Sequence, residues 1–264
     1  MAKLSDFAGG GKTMKVQEFT SSGTWIHPDP GQFVEVMALV CHGGGGGGTG
    51  GVTNGSLNLY SNGGGGAGSR TFFVKFFIDT NLSISIGAGG VGGSVTVEYD
   101  QGQRGNDGGT SDIKDSNGVS IVDFSESGFG GGGGKGDTGS EVRFVYGGGG
   151  GNAESITSNI LNQQLYDNGN TDGGNARGRT DGSADDSPGE VPERHNSFII
   201  NGVLPQNISG GPYGGGGGAS LFGSGGYNRS DGGTGAGGGG SYGGDNPDDG
   251  GDGGSGIVII MWFE

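Results

Sequence analysis

Glycine occurs in this chain as unbroken runs wedged between strongly apolar segments of β character. Residues 43–48, 63–66, 130–134, 147–151, 214–218 and 237–240 are such runs, and 73 of the 264 residues are glycine. Glycine loses more backbone freedom on folding than any other residue, roughly 0.5–1 kcal/mol relative to alanine. Summed over the runs this amounts to tens of kcal/mol if they are ordered, against a typical net stability of about 5–15 kcal/mol. Either the runs are disordered, or they fill a role open to glycine alone.

Two familiar uses of glycine fail. Collagen needs glycine at every third position with abundant proline, whereas this chain has runs of five and six glycines and only seven prolines. A flexible linker does not alternate with segments such as 33–40 (FVEVMALV) or 257–263 (IVIIMWF). Those segments require a core.

The net charge of −15 provides no cationic stripe to displace counterions from a phosphate backbone, so no nucleic-acid partner is expected. No stretch of about twenty apolar residues is present, and the start lacks the apolar core of a secretory leader, so no membrane insertion is expected. Asp245, Asp248, Asp249 and Asp252 invite comparison with a calcium loop. An EF-hand starting at Asp245 would put Pro247 at its third position and Gly256 where glutamate is required, so that motif fails. No metal and no cofactor is expected. Cys41 is the single cysteine. It shares the strand parity of Phe33, Met37 and Leu39 and reads as a buried apolar group.

Two motifs are decoys. Residues 239–243 (GGSYG) match the nucleophile elbow Gly-x-Ser-x-Gly, but at this glycine frequency the match is a chance event without its strand–turn–helix context. Residues 9–13 (GGGKT) lack the leading glycine and preceding strand of a P-loop. His27, His42 and His195 form no cluster in sequence, and the chain reads as a non-enzyme.

Strands are expected at 15–19 and 24–26, read as a pair, and at 33–41, 71–78, 82–86, 95–99, 119–124, 141–146, 197–204 and 257–263. One helix is expected over 153–166, with Ile156, Ile160, Leu161 and Leu165 on one face and Asn152 as its cap. Residues 167–192 read as a long exposed loop. The predicted fold is all-β, with sandwich-like strands combined with packed threefold glycine helices and at most one short α-helix. An N-terminal arm, 1–15, precedes one glycine-rich domain, 16–264, with a polar insertion around 152–196.

The threefold helices follow from chain physics. A glycine run can order in polyproline-II geometry, with three residues per turn and about 3.1 Å per residue. That helix has no internal hydrogen bonds, so each buried N–H and C=O must pair with a neighbouring segment. Glycine is required because a side chain would hold the helices apart. Such a lattice would hold loops rigidly at its ends, where binding function usually sits.

The opening FTSSGTW at 19–25, followed by Pro28 and an apolar strand entering a glycine run, resembles the start of glycine-rich domains in bacteriophage tail proteins. The close, GGDGGSGIVII at 250–260, is similar to the end of the same domains. The resemblance brackets 16–264. Some of those proteins are adhesins at the tips of tail fibres, with a sandwich of polyglycine-II helices whose loops contact the bacterial receptor. The resemblance therefore implies a virion tail location after synthesis in the host cytoplasm. It also implies other tail proteins as partners and a bacterial surface receptor, either an outer-membrane protein or a polysaccharide. The competing readings are a purely structural tail, baseplate or fibre-connecting component, and a bacterial surface protein.

Aromatic side chains suit receptor contact, and the candidates are Tyr166, Tyr213, Phe222, Tyr227 and Tyr242. Fibre-tip adhesins carry a sizeable attachment domain before the glycine-rich part, and here about fifteen residues stand in that place. Leu4, Phe7 and Met14 of this arm are the candidates for docking on another tail component. Assembly as a homotrimer through the strands is the alternative.

Overall fold

In the computed structural model the described residues are 12–49, 51–52, 60–61, 63–69, 71–94, 103–123, 144–145, 157–158, 164–167, 176–179, 215–241 and 248–264. Their strands are β1 (Met14–Phe19), β2 (Gly23–Trp25), β3 (Val34–Cys41), β4 (Gly51–Val52), β5 (Tyr60–Ser61), β6 (Thr71–Ile78) and β7 (Leu82–Ser85). They continue with β8 (Asp112–Lys114), β9 (Val122–Asp123), β10 (Phe144–Val145), β11 (Thr157–Ser158), β12 (Gln164–Asp167), β13 (Ala176–Arg179) and β14 (Ile257–Phe263). Every pairing is antiparallel, and no described residue is helical. The fold is all-β.

The largest sheet has the order β1-β14-β3-β6-β12, and a three-stranded sheet has the order β2-β7-β8. Strand β3 is apolar on both faces, as a central strand must be, and is paired along its whole length by β6. Alternation sorts the side chains. Val36, Ala38, Val40, Val74, Phe76, Val258 and Ile260 turn inward and form one core with Trp25, Leu82, Ile84 and Ile113 of the smaller sheet. Leu39, Cys41, Ile257 and Ile259 turn to the opposite face and form a second, smaller cluster. The result is a short β-sandwich. Two further sheets, β10-β13-β5-β4 and β11-β9, complete the described strands.

Above the sandwich stands the glycine lattice. The strand β3 runs directly into residues 43–49, all buried, and these form its hub. The N–H groups of Gly43, Gly46 and Thr49 donate to the carbonyls of Gly109, Asn106 and Gln103. Those of Gly44 and Gly47 donate to Gly254 and Gly251, and those of Gly45 and Gly48 to Ala67 and Gly64. Each partner number falls by three as the hub advances by three. The hub is therefore a threefold helix of polyproline-II type donating to three antiparallel neighbours. Its carbonyls at Gly44 and Gly47 accept from Gly90 and Gly93, and those at Gly45 and Gly48 from Gly238 and Ser241. These neighbours run parallel to it. The same pattern recurs away from the hub, where Gly256, Gly253 and Gly250 donate to Gly87, Gly90 and Gly93.

What glycine supplies here is space. Among the described glycines only Gly31, Gly118 and Gly235 have positive φ, so the runs do not use the left-handed freedom that usually explains the residue. A Cβ on Gly43 would instead lie 2.0 Å from the Ala88 carbonyl oxygen, and one on Gly44 2.0 Å from that of Ala236.

Several expectations are corrected. Strands β1 and β2 do not pair with each other: β1 lies against β14, and β2 against β7. Strand β1 also starts at Met14, inside the stretch assigned to the arm. The helix expected over 153–166 is not borne out at its described residues, since 157–158 and 164–167 are strands. Strand β6 has one side taken by β3, and its other side takes 164–167 as a fifth strand. Sheet pairing there overrides a helical spacing of four apolar residues. The loop expected over 167–192 contains β13, paired to both β10 and β5. The strands expected at 95–99 and 197–204 lie outside the described residues.

Candidate functional site

Sandwich and lattice meet at His42, the residue between the last strand position of β3 and the first hub glycine. Its ring is buried at 5.4 Å from the ring of Phe72. Its Nδ1 accepts the backbone N–H of Ser111 at 2.8 Å. The Ser111 hydroxyl donates to the Cys41 carbonyl at 2.8 Å and accepts the Gly87 N–H at 3.0 Å. Ser69 donates to the His42 carbonyl at 2.7 Å. Thus four segments are laced together where sheet hydrogen bonding gives way to lattice hydrogen bonding. Burial holds the His42 pKa down at about 3 and pushes the Cys41 thiol up. A neutral imidazole and a protonated, enclosed thiol belong to a structural joint. Among the described residues no three His, Cys, Asp or Glu side chains come together to hold a metal.

The sandwich end of the molecule carries the first and last described strands, β1 and β14, side by side. Thr13 and Glu264 exchange backbone hydrogen bonds there. Nearby, the loop after β2 is pinned by His27, whose Nε2 donates to the Ile78 carbonyl and whose Nδ1 accepts the Asp29 N–H. This rigid loop leaves Ile26 and Phe33 among the most exposed large apolar side chains.

At the far end of the lattice, residues 223–226 turn into 230–235 through Tyr227, Asn228 and Arg229. Ser230 donates its N–H to the Tyr227 carbonyl at 2.9 Å, and Arg229 donates its N–H to Gly240. The Arg229 guanidinium pairs with Asp248, both more than a third exposed. The Ser241 hydroxyl donates to the Asp248 carbonyl.

Residues 20–263 match the family described as glycine-rich domain. The chain belongs to that family. No curated protein matches it in a sequence comparison.

Within this glycine-rich domain the aromatic candidates separate. Tyr227 is exposed at the far turn. Phe222 sits at the opposite end of the lattice, half-buried against the cluster of Leu39, Cys41, Ile257 and Ile259. Tyr166 belongs to β12, opposite Phe73. Tyr213 and Tyr242 lie outside the described residues, as do Leu4 and Phe7. Met14 opens β1 opposite Phe263 and is half-buried.

One signal went unread in the sequence. In the stretch 87–94 the residues with side chains are Ala88, Val91 and Ser94, spaced by three and all exposed. A Cβ on Gly87, Gly90 or Gly93 would strike the segment 103–109, and one on Gly89 or Gly92 the segment 250–253. Likewise Asp249, Asp252 and Ser255 mark the solvent column of 250–256. In these two outer helices, 87–94 and 250–256, glycine fills two columns and side chains ride on the third. Residues with chemistry on the lattice are therefore found by counting in threes.

Proposed function

We propose that this protein is a bacteriophage tail protein that binds the bacterial surface through loops at the far end of its glycine lattice. The reading is supported by the resemblance at 19–25 and 250–260 to tail proteins and by the bipolar plan of the molecule. The single observation that carries it is the rigid hub at 43–49. Its hydrogen bonds to five neighbouring segments hold the far loops fixed relative to the sandwich. A rigid scaffold with loops at one end suits recognition.

Exposed Ile26 and Phe33 at the sandwich end favour a second role there, contact with another tail component. If that were the whole function, the protein would be a structural connector. Incubating the purified protein with intact bacteria decides between the two. Saturable binding to cells of one strain and not another supports the adhesin. Absence of cell binding, together with a fixed stoichiometric position inside isolated tails, would leave the connector.

A further inference from the structure

The turn at 227–230 is built against the economy of the rest of the chain. Asn228 and Arg229 have φ of 43° and 56°, so both central positions are left-handed and the turn is of the mirror-image type, which glycine, asparagine and aspartate dominate. Arginine there is strained. The Oδ1 of Asn228 is also buried without a hydrogen-bond partner among the described residues. Glycine at both positions would relieve the backbone strain and remove the orphaned oxygen. This chain uses glycine for close contact throughout, yet here it keeps two side chains.

Those side chains build a small surface with Tyr227. Tyr227 is 37% exposed. The guanidinium of Arg229 and the carboxylate of Asp248, 59% and 50% exposed, stand paired beside each other. Asp248 is tied through its own carbonyl to Ser241 at the end of a lattice run, so the pair sits on a rigid support. The carboxylate neutralises the guanidinium, which disfavours a phosphate or another anion. Together they offer a donor fork next to acceptor oxygens, a match for adjacent hydroxyls on a sugar ring, while the tyrosine offers a flat apolar face. A protein partner would be anchored by a cluster of buried aromatic side chains. Among the described residues, Val91 and Tyr227 are the only exposed large apolar residues that belong to the lattice.

The geometry points to a site for a neutral polysaccharide formed by Tyr227, Arg229 and Asp248. This inference rests on the host-surface reading and narrows the receptor class. The test uses the full chain, bacteria that it binds, and polysaccharide extracted from those bacteria and immobilised. Wild type binds the polysaccharide. The double variant N228G/R229G unfolds at a higher temperature and binds at least tenfold more weakly. Tyr227→Ala weakens binding with its unfolding unchanged. Wild-type binding to cells but not to their polysaccharide overturns the sugar site and leaves the host-surface reading standing. A double variant that binds like wild type, or that unfolds at a lower temperature, overturns the site as well, because Arg229 would then be a structural clamp. Failure to bind any bacteria removes both.

Discussion

A Cβ on Gly47 would stand 2.2 Å from the carbonyl oxygen of Gly239. No rotamer relieves that overlap, because both atoms belong to backbone held in the lattice. Gly47→Ala is expected to destabilise the protein by about 3 kcal/mol, at the upper end of overpacking substitutions. By contrast, Ala88→Ser and Ser255→Ala lie on solvent columns and are expected to stay within about 0.5 kcal/mol of wild type. Denaturant unfolding of the three variants checks this, and equal effects at 47 and 88 would contradict a packed threefold lattice.

Amides of residues 43–48 belong to no strand, yet each donates to a carbonyl at 2.8–3.0 Å. In hydrogen exchange they are expected to be protected to the same degree as the central strand β3, through global unfolding. Exchange at the rate of an exposed loop would show that the runs are unpaired.

Ser111 joins three partners at the junction, through bonds to His42, Cys41 and Gly87. Ser111→Ala keeps the amide bond to His42, strands the buried Gly87 N–H and removes one donor from the Cys41 carbonyl. Leaving a buried group unsatisfied costs about 1–3 kcal/mol, so a loss of about 2 kcal/mol is expected from equilibrium unfolding. A neutral outcome would mean that water replaces the hydroxyl.

His42 links stability to pH. Its folded pKa is lowered from 6.5 to about 3 by burial, so the unfolded chain takes up a proton in a range where the folded protein does not. Stability from this group is complete above the unfolded value. It declines as pH falls below 6.5, by up to about 1.4 kcal/mol per pH unit, and levels off near the folded value. His42→Asn retains an acceptor for the Ser111 amide without the proton. Its stability is expected to fall less steeply between about pH 6 and 4, by roughly one proton's worth of slope. Equal slopes in the two proteins would place His42 in contact with solvent.

The strands at 71–78 and 257–263 are legible because alternation and apolar density act locally. Asn152 and the apolar spacing at 156, 160, 161 and 165 suggest a helix for the same local reasons, and there the reasoning fails. The open side of β6 lies some ninety residues earlier in sequence, and its demand for hydrogen-bond partners is invisible from 164–167. At the candidate site Tyr227 could be singled out as an aromatic between glycine runs. Arg229 could not, since its role depends on a left-handed turn and on Asp248, nineteen residues away. Phe222 also lies between glycine-rich stretches and is packed against the sheet instead.

By itself the sequence determined that the runs can order in a threefold form, because glycine without side chains can pack closely and its backbone groups need partners. It also determined the apolar strands that anchor them. Which run becomes the hub, and which residues meet at the far turn, only the tertiary structure decided. A glycine run carries no side chain to specify its neighbours, so its place is set by the strands at either end and by the hydrogen bonds available once they are docked.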